Sequence, residues 1–477
     1  MSVAPVAIAT ASALPLVEEL TPAPDPWDVA RRLARLPHLV FFDSADRHAE
    51  RGRFSYVAAD PVEWIVDSTR DPRSLDPFAE LARRLAAFPL ETLPELPPFQ
   101  GGVAGQFGYG LQHAIERIPR PRFDEFRVPD LAVGIYDWVI AFDHRVDRAW
   151  LISTGYPDNR SGRAARRLKE VHAALRGDRL PGRPSWTDHR VIPTAEQFPL
   201  AGRPGVTSNF SRMSYLTTVR RAIEYVNAGD CFQVNLAQRL LTRQTEHPLE
   251  LYGRLRERNP APFAGYFDLG DFAIASASPE RFVRVTDGDV ETRPIKGTRP
   301  RGRTLEEERT RIADLVASPK DRAENVMIVD LLRNDLGRVC QYGSVRVPRV
   351  CQVETYKYVH HLVSEVRGRL AEGKGPLDLL RACFPGGSVT GAPKVRAMEI
   401  IAELEPTARG PYCGSLGFIG FDGSMDTNIL IRSFTAGKGW LQFPVGGGIV
   451  ADSEPEREYE ETLHKAEGLL RALELNR

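Results

Sequence analysis

The stretch Thr292-Arg-Pro-Ile-Lys-Gly-Thr-Arg-Pro-Arg-Gly-Arg303 carries the strongest local signal in this sequence. Prolines bracket its Ile-Lys-Gly-Thr core, which favours the end of a strand running into a fixed turn over a helix. Lysine is scarce, because 8 of the 63 basic residues are lysine and the other 55 are arginine. Only an amine can lose its proton and attack carbon, whereas arginine cannot. Lys296 is therefore a candidate nucleophile, and pairing with a neighbouring carboxylate is the structural alternative.

The composition is that of a globular protein with two or three subdomains. The 477 residues are 42% hydrophobic and 26% charged, and the formal net charge is +0. Nothing in this balance favours a nucleic acid or a membrane as a partner. The five cysteines form no CxxC pair, no apolar run is long enough to span a membrane, and the N-terminal stretch lacks the basic segment of a signal peptide. We therefore expect a cytoplasmic protein.

A Pro- and Gly-rich segment at 177–206 is the strongest candidate linker. It divides an N-terminal subdomain, 1–176, from a catalytic domain, 207–477. Strands interleave with helices without strict βαβ alternation, which indicates an α+β fold with antiparallel sheets. The alternating stretches Leu131–Ile152 and Ser415–Val445 each predict a hairpin.

Two predicted helices carry acidic residues three positions apart. The pairs are Asp321 with Glu324 in the helix Lys320–Arg338, and Glu458 with Glu461 in the helix Pro455–Leu473. A spacing of three places each pair on one helical face, and Lys465 extends the second face by one turn. If the two faces meet, they form an oxygen-rich pocket that suits Mg²⁺. Solvated helix faces are the alternative.

Glycine-rich turns and one arginine in an apolar run are candidate anion contacts. Pro385–Lys394 frees several backbone N–H groups at a predicted helix start, with Thr390 as a plausible cap. Gly446-Gly-Gly448 offers similar donors after a strand, and a plain turn is the alternative in both places. Arg432 lies within the apolar run Ile429–Phe434 and needs a carboxylate partner, which a substrate could supply.

Seven blocks between residues 210 and 475 together resemble the chorismate-utilising enzymes. This family contains anthranilate, aminodeoxychorismate, isochorismate and salicylate synthases. The blocks are Gly229–Arg239, Ser278–Phe282, Pro294–Thr298, Asp330–Asp335, His361–Ser364, Pro385–Lys394 and Gly446–Thr462. The N-terminal half is similar more loosely, mainly through Phe41–Pro61. The resemblance implies a four-layer α/β/β/α core with two packed, roughly orthogonal antiparallel sheets and a site in a cleft.

Within the family, the pattern resembles the aminodeoxychorismate type. Isochorismate synthases are thought to activate water with a lysine at the position of Gln233, and anthranilate synthases usually carry alanine at that of Lys296. The resemblance thus implies Mg²⁺-dependent conversion of chorismate and ammonia into 4-amino-4-deoxychorismate, for 4-aminobenzoate and folate biosynthesis. An anthranilate synthase and a non-catalytic regulatory subunit stay open as alternatives.

The resemblance also implies a role for each candidate residue. Lys296 would attack the ring and form a covalent intermediate, helped by Glu280 as general acid, with Thr298 and His361 near the ring hydroxyl. The ligands of Mg²⁺ would be Glu324 and Glu461, with Asp321 and Glu458 alongside. The residues lining the substrate pocket would be Gln233, Ser388, Tyr412, Arg432, Gly446, Gly447, Gly448 and Lys465.

The sequence contains no G-x-C-x-G nucleophile of a glutaminase. Ammonia is therefore expected from a separate glutamine amidotransferase subunit or from solution, and an aminodeoxychorismate lyase would act on the product. Tryptophan-inhibited anthranilate synthases carry Leu-Leu-Glu-Ser where this chain has Phe41-Phe-Asp-Ser44, which argues against tryptophan feedback. The residues that could still line an amino-acid pocket are Ser44, Arg51, Phe54, Pro262 and Phe263.

Overall fold

The structure, a computed structural model, describes residues 14–47, 51–71, 76–86, 90–157, 162–177, 191–356 and 359–474. The strands, in chain order, are β1 Leu16–Leu20, β2 Val40–Asp43, β3 Phe54–Ala58, β4 Glu63–Asp67, β5 Gly102–Phe107, β6 Leu131–Tyr136, β7 Trp138–Asp143, β8 Arg148–Ser153, β9 Phe198–Pro199, β10 Thr207–Ser208, β11 Gln233–Arg243, β12 Phe263–Asp268, β13 Phe272–Ser278, β14 Arg281–Thr286, β15 Asp289–Thr292, β16 Ile295–Pro300, β17 Arg346–Thr355, β18 Val359–Arg369, β19 Gly391–Ala392, β20 Ser415–Gly420, β21 Met425–Asn428, β22 Ser433–Gly437 and β23 Trp440–Ile449.

The α-helices, in chain order, are α1 Pro26–Leu33, α2 Pro77–Ala86, α3 Arg163–Arg176, α4 Arg212–Asn227, α5 Pro248–Arg258, α6 Leu305–Ala317, α7 Pro319–Gly337, α8 Pro376–Cys383, α9 Lys394–Leu404 and α10 Pro455–Leu473. Short 3-10 helices cover Tyr109–Ala114 and Gly387–Val389. Part of the predicted linker, residues 178–190, lies outside the described residues.

The strands form two sheets. The first has 13 strands in the order β1-β8-β7-β3-β2-β12-β13-β22-β23-β11-β10-β9, with β19 beside β11. The second has 10 strands in the order β16-β18-β15-β14-β21-β20-β5-β6-β4, with β17 beside β18. All pairings between these strands are antiparallel. The predicted α+β class with two antiparallel sheets is confirmed.

The two sheets pack against each other, and helices cover their outer faces. Side chains from both sheets share one buried cluster, which includes Phe267 from the first sheet and Tyr136 and Phe418 from the second. Helices α4, α5, α9 and α10 pack on the first sheet, and α6 and α7 pack on the second. The resulting order of layers is helix, sheet, sheet, helix.

Both predicted hairpins are divided between the sheets. β6 lies in the second sheet and β7 in the first, and β20 and β21 lie in the second sheet while β22 and β23 lie in the first. The changes of sheet occur at Asp137 and around Arg432. Alternation of apolar and polar residues is the same in either sheet, so the pattern could not predict these crossings. The two sheets each contain strands from before and after 177–206, and the division into two domains stays a prediction.

The two acidic helices begin as their sequences predict. The Ser318 side chain accepts a hydrogen bond from the Asp321 N–H at the start of α7, and Pro319 occupies its first position. Helix α10 begins with Pro455 and buries Tyr459, Thr462 and Ala466 on one face. Because the spacing of these residues is three or four, Glu458 and Glu461 lie on a neighbouring face.

No described helix has the length and apolar character needed to cross a membrane. The five cysteines, Cys231, Cys340, Cys351, Cys383 and Cys413, are buried and unpaired.

Candidate active site

The carboxylates of α7 and α10 approach one another beside the glycine-rich end of β23. A Cβ atom added at Gly447 would lie 3.2 Å from Glu458 Oε2 and 3.7 Å from Glu461 Oε1. A side chain there would crowd both carboxylates, so glycine keeps the space in front of α10 open. Lys320 Nζ lies 4.0 Å from Glu324 Oε1 and 3.9 Å from Glu458 Oε1, which brings the two helices together at one point.

Burial and neighbouring charges shift the pKa values of these carboxylates. Burial raises the pKa of Glu324, opposed by Lys296 and Lys320. Burial also raises the pKa of Glu458, opposed by a hydrogen bond from Ser453.

Glu461, which is half exposed, differs from these two carboxylates. Burial acts to raise its pKa, but Lys465, 2.7 Å away, reverses the shift and leaves the pKa lowered. Lys465 also donates to Gly446 O at 2.9 Å. Asp321, on the same helix as Glu324, pairs with Arg299 at 3.1 Å.

This donor set fits Mg²⁺ when a ligand contributes. No three His, Cys, Asp or Glu side chains in the described ranges are close enough to enclose a metal on their own. Mg²⁺ typically binds one or two protein carboxylates and completes its octahedron with waters and anionic ligand oxygens. Glu324 and Glu461, one from each helix, are carboxylates of that kind, and each already faces a lysine ammonium.

Lys296 lies on β16 at a bulge. β16 pairs with β18, and the register shifts between Lys296 and Thr298, where Gly297 adopts a φ of 77°. The predicted turn is thus a bulge within a strand, because glycine allows this left-handed conformation without breaking the ladder. The bulge turns Lys296 towards α7, where Nζ lies 3.9 Å from Glu324 Oε2.

The Lys296 amine is buried without a close partner. No acceptor within the described part of the chain lies within hydrogen-bonding distance of Nζ, and the side chain is 13% exposed. Burial lowers the pKa of Lys296, with Glu324 acting in the opposite direction and Lys465 adding to the shift. The environment therefore favours the neutral, nucleophilic amine.

Glu280 faces the same space from the end of β13. Its carboxylate accepts a hydrogen bond of 2.9 Å from Ser388 Oγ, on the 3-10 helix Gly387–Val389. Burial raises the pKa of Glu280 to about 7, although Ser388, Lys296 and Lys465 act in the opposite direction. A carboxylic acid with this pKa holds a proton near neutrality and can give it to a leaving group.

The two histidines of β18 point to opposite sides. His361 Nδ1 lies 2.9 Å from Thr298 Oγ1, next to Lys296 in the structure. Burial lowers the pKa of His361 to about 4, so the ring is neutral at pH 7. His360 is fully buried on the other side, where its ring nitrogens lie 3.2 Å from Glu308 and 2.9 Å from Thr355.

Arg432 occupies the crossing between β21 and β22 with a φ of 54°. Burial lowers its pKa, while Tyr412 and Glu461 raise it, which places these two residues in its surroundings. Among the described residues, no carboxylate lies within ion-pair distance of its guanidinium. The predicted carboxylate partner is therefore absent from the described chain, and the guanidinium is free to bind one from a ligand.

Gln233 begins β11 and pairs with Ala392 of β19, two residues before the part of β11 that pairs with Gly446–Gly448 of β23. It is fully buried, and neither atom of its amide has a hydrogen-bond partner among the described residues. A Cβ at Gly448 would collide with this amide. The prediction that Thr390 caps a helix is wrong: α9 begins after Pro393 without a side-chain cap, and Thr390 donates to Gly386 O at 3.0 Å. An extended backbone up to Pro393 leaves Thr390 outside helical reach.

The residues predicted for an amino-acid pocket line one cavity of about 410 Å³ between the sheets. Ser44 Oγ donates to Phe54 O at 2.5 Å, and Arg51 pairs with Glu354 at 2.7 Å. Nε and Nη1 of Arg51 are buried without a hydrogen-bond partner among the described residues. Pro262 and Phe263 form another part of the wall, which also carries Arg281 and Glu291.

Sequence reasoning missed several charged residues close to the site. Lys320 is not among the residues predicted for the site, although it precedes Glu324 by four positions and thus shares its helical face. Arg409 and Glu405, which form a buried pair behind Tyr412, lie outside the quoted family blocks. No spacing rule relates these two to the site, because the fold brings them there.

Comparison with known proteins identifies the family of this chain. Residues 39–471 match the model of the chorismate binding enzyme family. The chain belongs to this family. A similar relative is anthranilate synthase component 1 of Thermus thermophilus, 46% identical over 84% of this chain and 83% of that protein. Another is aminodeoxychorismate synthase component 1 of Salmonella typhimurium, 41% identical over 92% of this chain and 94% of that protein.

A solved structure supports the same family. Anthranilate synthase component I of Streptococcus pneumoniae superimposes with a TM-score of 0.75 at 31% identity, and the match covers 89% of this chain and 93% of that one. The relatives thus include two reactions on one fold, and residues inside the site must distinguish them.

Proposed function

We propose that this chain is the synthase component that converts chorismate and ammonia into 4-amino-4-deoxychorismate. The observation that carries the proposal is a buried Lys296 whose amine has no hydrogen-bond acceptor among the described residues, beside Glu280, whose pKa is about 7. Relatives named for this activity match over more than nine-tenths of the chain at 41% identity. A nucleophilic amine next to a protonated acid suits a displacement in which the amine attacks one ring carbon and a hydroxyl leaves from another carbon across the diene.

In the first step, the neutral Lys296 amine attacks C2 of the ring. The C2–N bond forms, the ring diene shifts, and the C4–O bond breaks. Glu280 gives its proton to the departing hydroxyl, which leaves as water, and the lysine nitrogen then passes a proton to the Glu280 carboxylate. Arginine could not perform this step, because its guanidinium stays protonated.

In the second step, ammonia adds at C4. The C4–N bond forms with the added nitrogen as an ammonium, the diene shifts back, and the C2–N bond breaks as Glu280 returns its proton to the lysine nitrogen. Lys296 thereby regains its neutral amine, and the enolpyruvyl group stays on the ring. Gln233 stands where a lysine that activates water would be needed for hydration, and an amide cannot act as that base. Thr298 and the neutral His361 lie next to Lys296 and would orient the ring hydroxyl.

The remaining residues bind the substrate. Arg432, Tyr412, Ser388, Lys465 and the amides of Gly446–Gly448 would contact its carboxylates, because the unpaired Arg432 guanidinium and the Lys465 ammonium carry the needed charge. Mg²⁺ held by Glu324 and Glu461, with Asp321 and Glu458 alongside, would neutralise the ring carboxylate.

Ammonia would come from a separate glutamine amidotransferase subunit. The relatives are named component 1, and the sequence here has no glutaminase nucleophile motif. The product would then pass to a lyase that forms 4-aminobenzoate, the precursor used for folate. If this chain alone used glutamine as nitrogen donor, the two-subunit arrangement would be refuted.

One assay tests the reaction. The purified chain is incubated with chorismate, Mg²⁺ and an ammonium salt, and the products are resolved by mass. The proposal predicts 4-amino-4-deoxychorismate. Anthranilate would show the alternative, which the 46% identity to the Thermus thermophilus enzyme supports. The absence of any product would point to a regulatory subunit.

We also propose that the cavity around Ser44, Arg51 and Phe263 binds an amino acid. The unpartnered edge of the Arg51 guanidinium suits a carboxylate, and Phe263 offers an apolar wall. A panel of amino acids in a thermal-shift assay would test this, with Arg51→Gln as the control that should lose the shift. If no amino acid shifts the wild-type protein, the pocket has another role.

A further inference from the structure

Lys320 occupies an unusual position between the two carboxylate helices. Its Nζ lies 4.0 Å from Glu324 Oε1 on α7 and 3.9 Å from Glu458 Oε1 on α10. Of the cations in the described ranges, Lys296 reaches only α7 and Lys465 only α10, so Lys320 alone pairs with carboxylates of both helices. A single positive charge therefore sits between the elements that carry the proposed metal ligands.

This lysine is unfavourable for its own helix. Lys320 is the second residue of α7, where the partial positive charge of the helix N-terminus repels a cation. A lysine four positions before a glutamate is also the weaker orientation of such a pair. The stability of α7 therefore does not explain why Lys320 is a lysine. Its contact with the Glu458 carboxylate of α10 does.

The exposed side chain of Lys320 can also move away from Glu324 and Glu458. Lys320 is 53% exposed, whereas its partners Glu324 and Glu458 are 16% and 6% exposed. The carboxylates are fixed by their helices, and the lysine reaches them from solvent on a flexible four-carbon stem.

We propose that Lys320 is a stand-in cation, which holds α7 and α10 together in the metal-free enzyme and swings into solvent when the divalent ion binds. The inference rests on the metal site of the proposed function. Lys320 is then a positioning residue that competes with the metal, and its charge lowers the affinity of the empty site for divalent cations.

The test measures metal binding without substrate. Mn²⁺, which is detected by electron paramagnetic resonance and takes Mg²⁺-type oxygen ligands, is titrated into the wild type and into Lys320→Gln. Each partly exposed ion pair is worth a factor of up to about five in an equilibrium constant. Removing two such pairs should therefore tighten Mn²⁺ binding by roughly 3- to 20-fold.

Two control variants isolate the effect. Lys320→Arg keeps a cation in reach and should bind Mn²⁺ within about two-fold of the wild type. Lys374→Gln removes a lysine that also pairs four positions ahead, with Asp378 at 3.6 Å near the start of α8, far from the site in the sequence. It should leave Mn²⁺ binding unchanged. Thermal denaturation without metal checks that each variant is folded.

The possible outcomes separate this inference from the metal site itself. If Glu461→Gln weakens Mn²⁺ binding but Lys320→Gln does not tighten it, the stand-in role is overturned and the site stands. If Lys320→Gln instead raises the KM for chorismate at saturating Mg²⁺ with Mn²⁺ affinity unchanged, Lys320 binds substrate, which also overturns it. If Glu461→Gln has no effect on Mn²⁺ binding, the metal site and the inference both fail.

Discussion

Lys296 and Lys394 are buried to nearly the same degree, and their surroundings differ completely. Lys394, 11% exposed, donates to Asp335 Oδ2 at 2.6 Å and to Cys383 O at 2.7 Å. Lys296, 13% exposed, has its nearest carboxylate at 3.9 Å. Lys394 is anchored by two short hydrogen bonds, whereas Lys296 has one long ion pair and no hydrogen bond among the described residues. Burial alone therefore does not mark a reactive lysine, whereas burial without a hydrogen bond does.

Arg409 and Arg432 differ in the same way as the two lysines. Arg409, 3% exposed, donates to both oxygens of Glu405 at 2.8 and 2.6 Å and to the carbonyl groups of Val389 and Asn235. Arg432 has no such pair among the described residues. Arg409, behind the site, is neutralised by a protein carboxylate, whereas Arg432, in the site, keeps a positive charge that a ligand carboxylate can neutralise.

The largest effect is expected from Lys296→Arg. If Lys296 is the nucleophile, a guanidinium at this place should reduce the rate of product formation by about 10⁴-fold or more, because it cannot lose its proton. The melting temperature should stay within a few degrees of the wild type, since Lys296 anchors nothing. Steady-state assays and calorimetry measure the two quantities. A functional Lys296→Arg enzyme would remove the distinction between the two lysines.

Lys394→Met should show the opposite behaviour. Removing this ammonium leaves the fully buried Asp335 carboxylate unpaired, which costs roughly 3–5 kcal/mol of unfolding free energy. The double variant Lys394→Met with Asp335→Asn should recover part of that loss, because no charge is left buried. Denaturant unfolding measures the change. A loss below about 1 kcal/mol would contradict the anchoring role.

Glu280→Gln should lower the rate by about 10²- to 10⁴-fold and change its pH dependence. The reactive form needs a protonated Glu280 and a neutral Lys296. Raising the pH supplies the neutral amine but removes the Glu280 proton, so the wild-type profile is bell-shaped with one limb near pH 7. In Glu280→Gln only the lysine titrates, and the residual rate should rise continuously with pH. A retained alkaline limb would assign the acid elsewhere.

Arg432→Gln is expected to give the smallest of these effects, on substrate binding. Loss of a charged partner for a ligand carboxylate should raise the KM for chorismate at least about 30-fold. Stability should stay the same or increase, because an unpaired cation is removed. Arg409→Gln is the matched control, which should unfold more easily because it strands Glu405. If Arg432→Gln destabilises the protein as much, Arg432 has a structural partner after all.

Much of the architecture was accessible from the sequence. Helix α10 has the predicted bounds Pro455–Leu473, since Pro at its start and buried residues three and four apart define it. The α+β class followed from the mixture of strands and helices. The sheet membership of each strand did not, because alternation is the same on both sheets and the crossings at Asp137 and Arg432 depend on tertiary packing.

The residues of the candidate site could be named from the sequence, but the pKa shifts and contacts of their side chains could not. Lys296, Glu280 and the four acidic residues of α7 and α10 were identified from the rarity of lysine, spacing and family resemblance. The bulge at Gly297 that turns Lys296 towards Glu324 was not, because an isolated glycine after a lysine suits a turn equally well. The contacts of Lys320, Lys394 and Arg409 likewise follow only from elements that meet in the fold.

The covalent role of Lys296 is tested most directly by intact-protein mass spectrometry. The wild-type chain is mixed with chorismate and Mg²⁺ without ammonia, so that the second displacement cannot occur, and is then quenched in acid. We predict an added mass equal to chorismate minus one water, located on Lys296 by peptide mapping and absent from Lys296→Arg. An active enzyme that shows no adduct, or an adduct on another residue, would contradict the account.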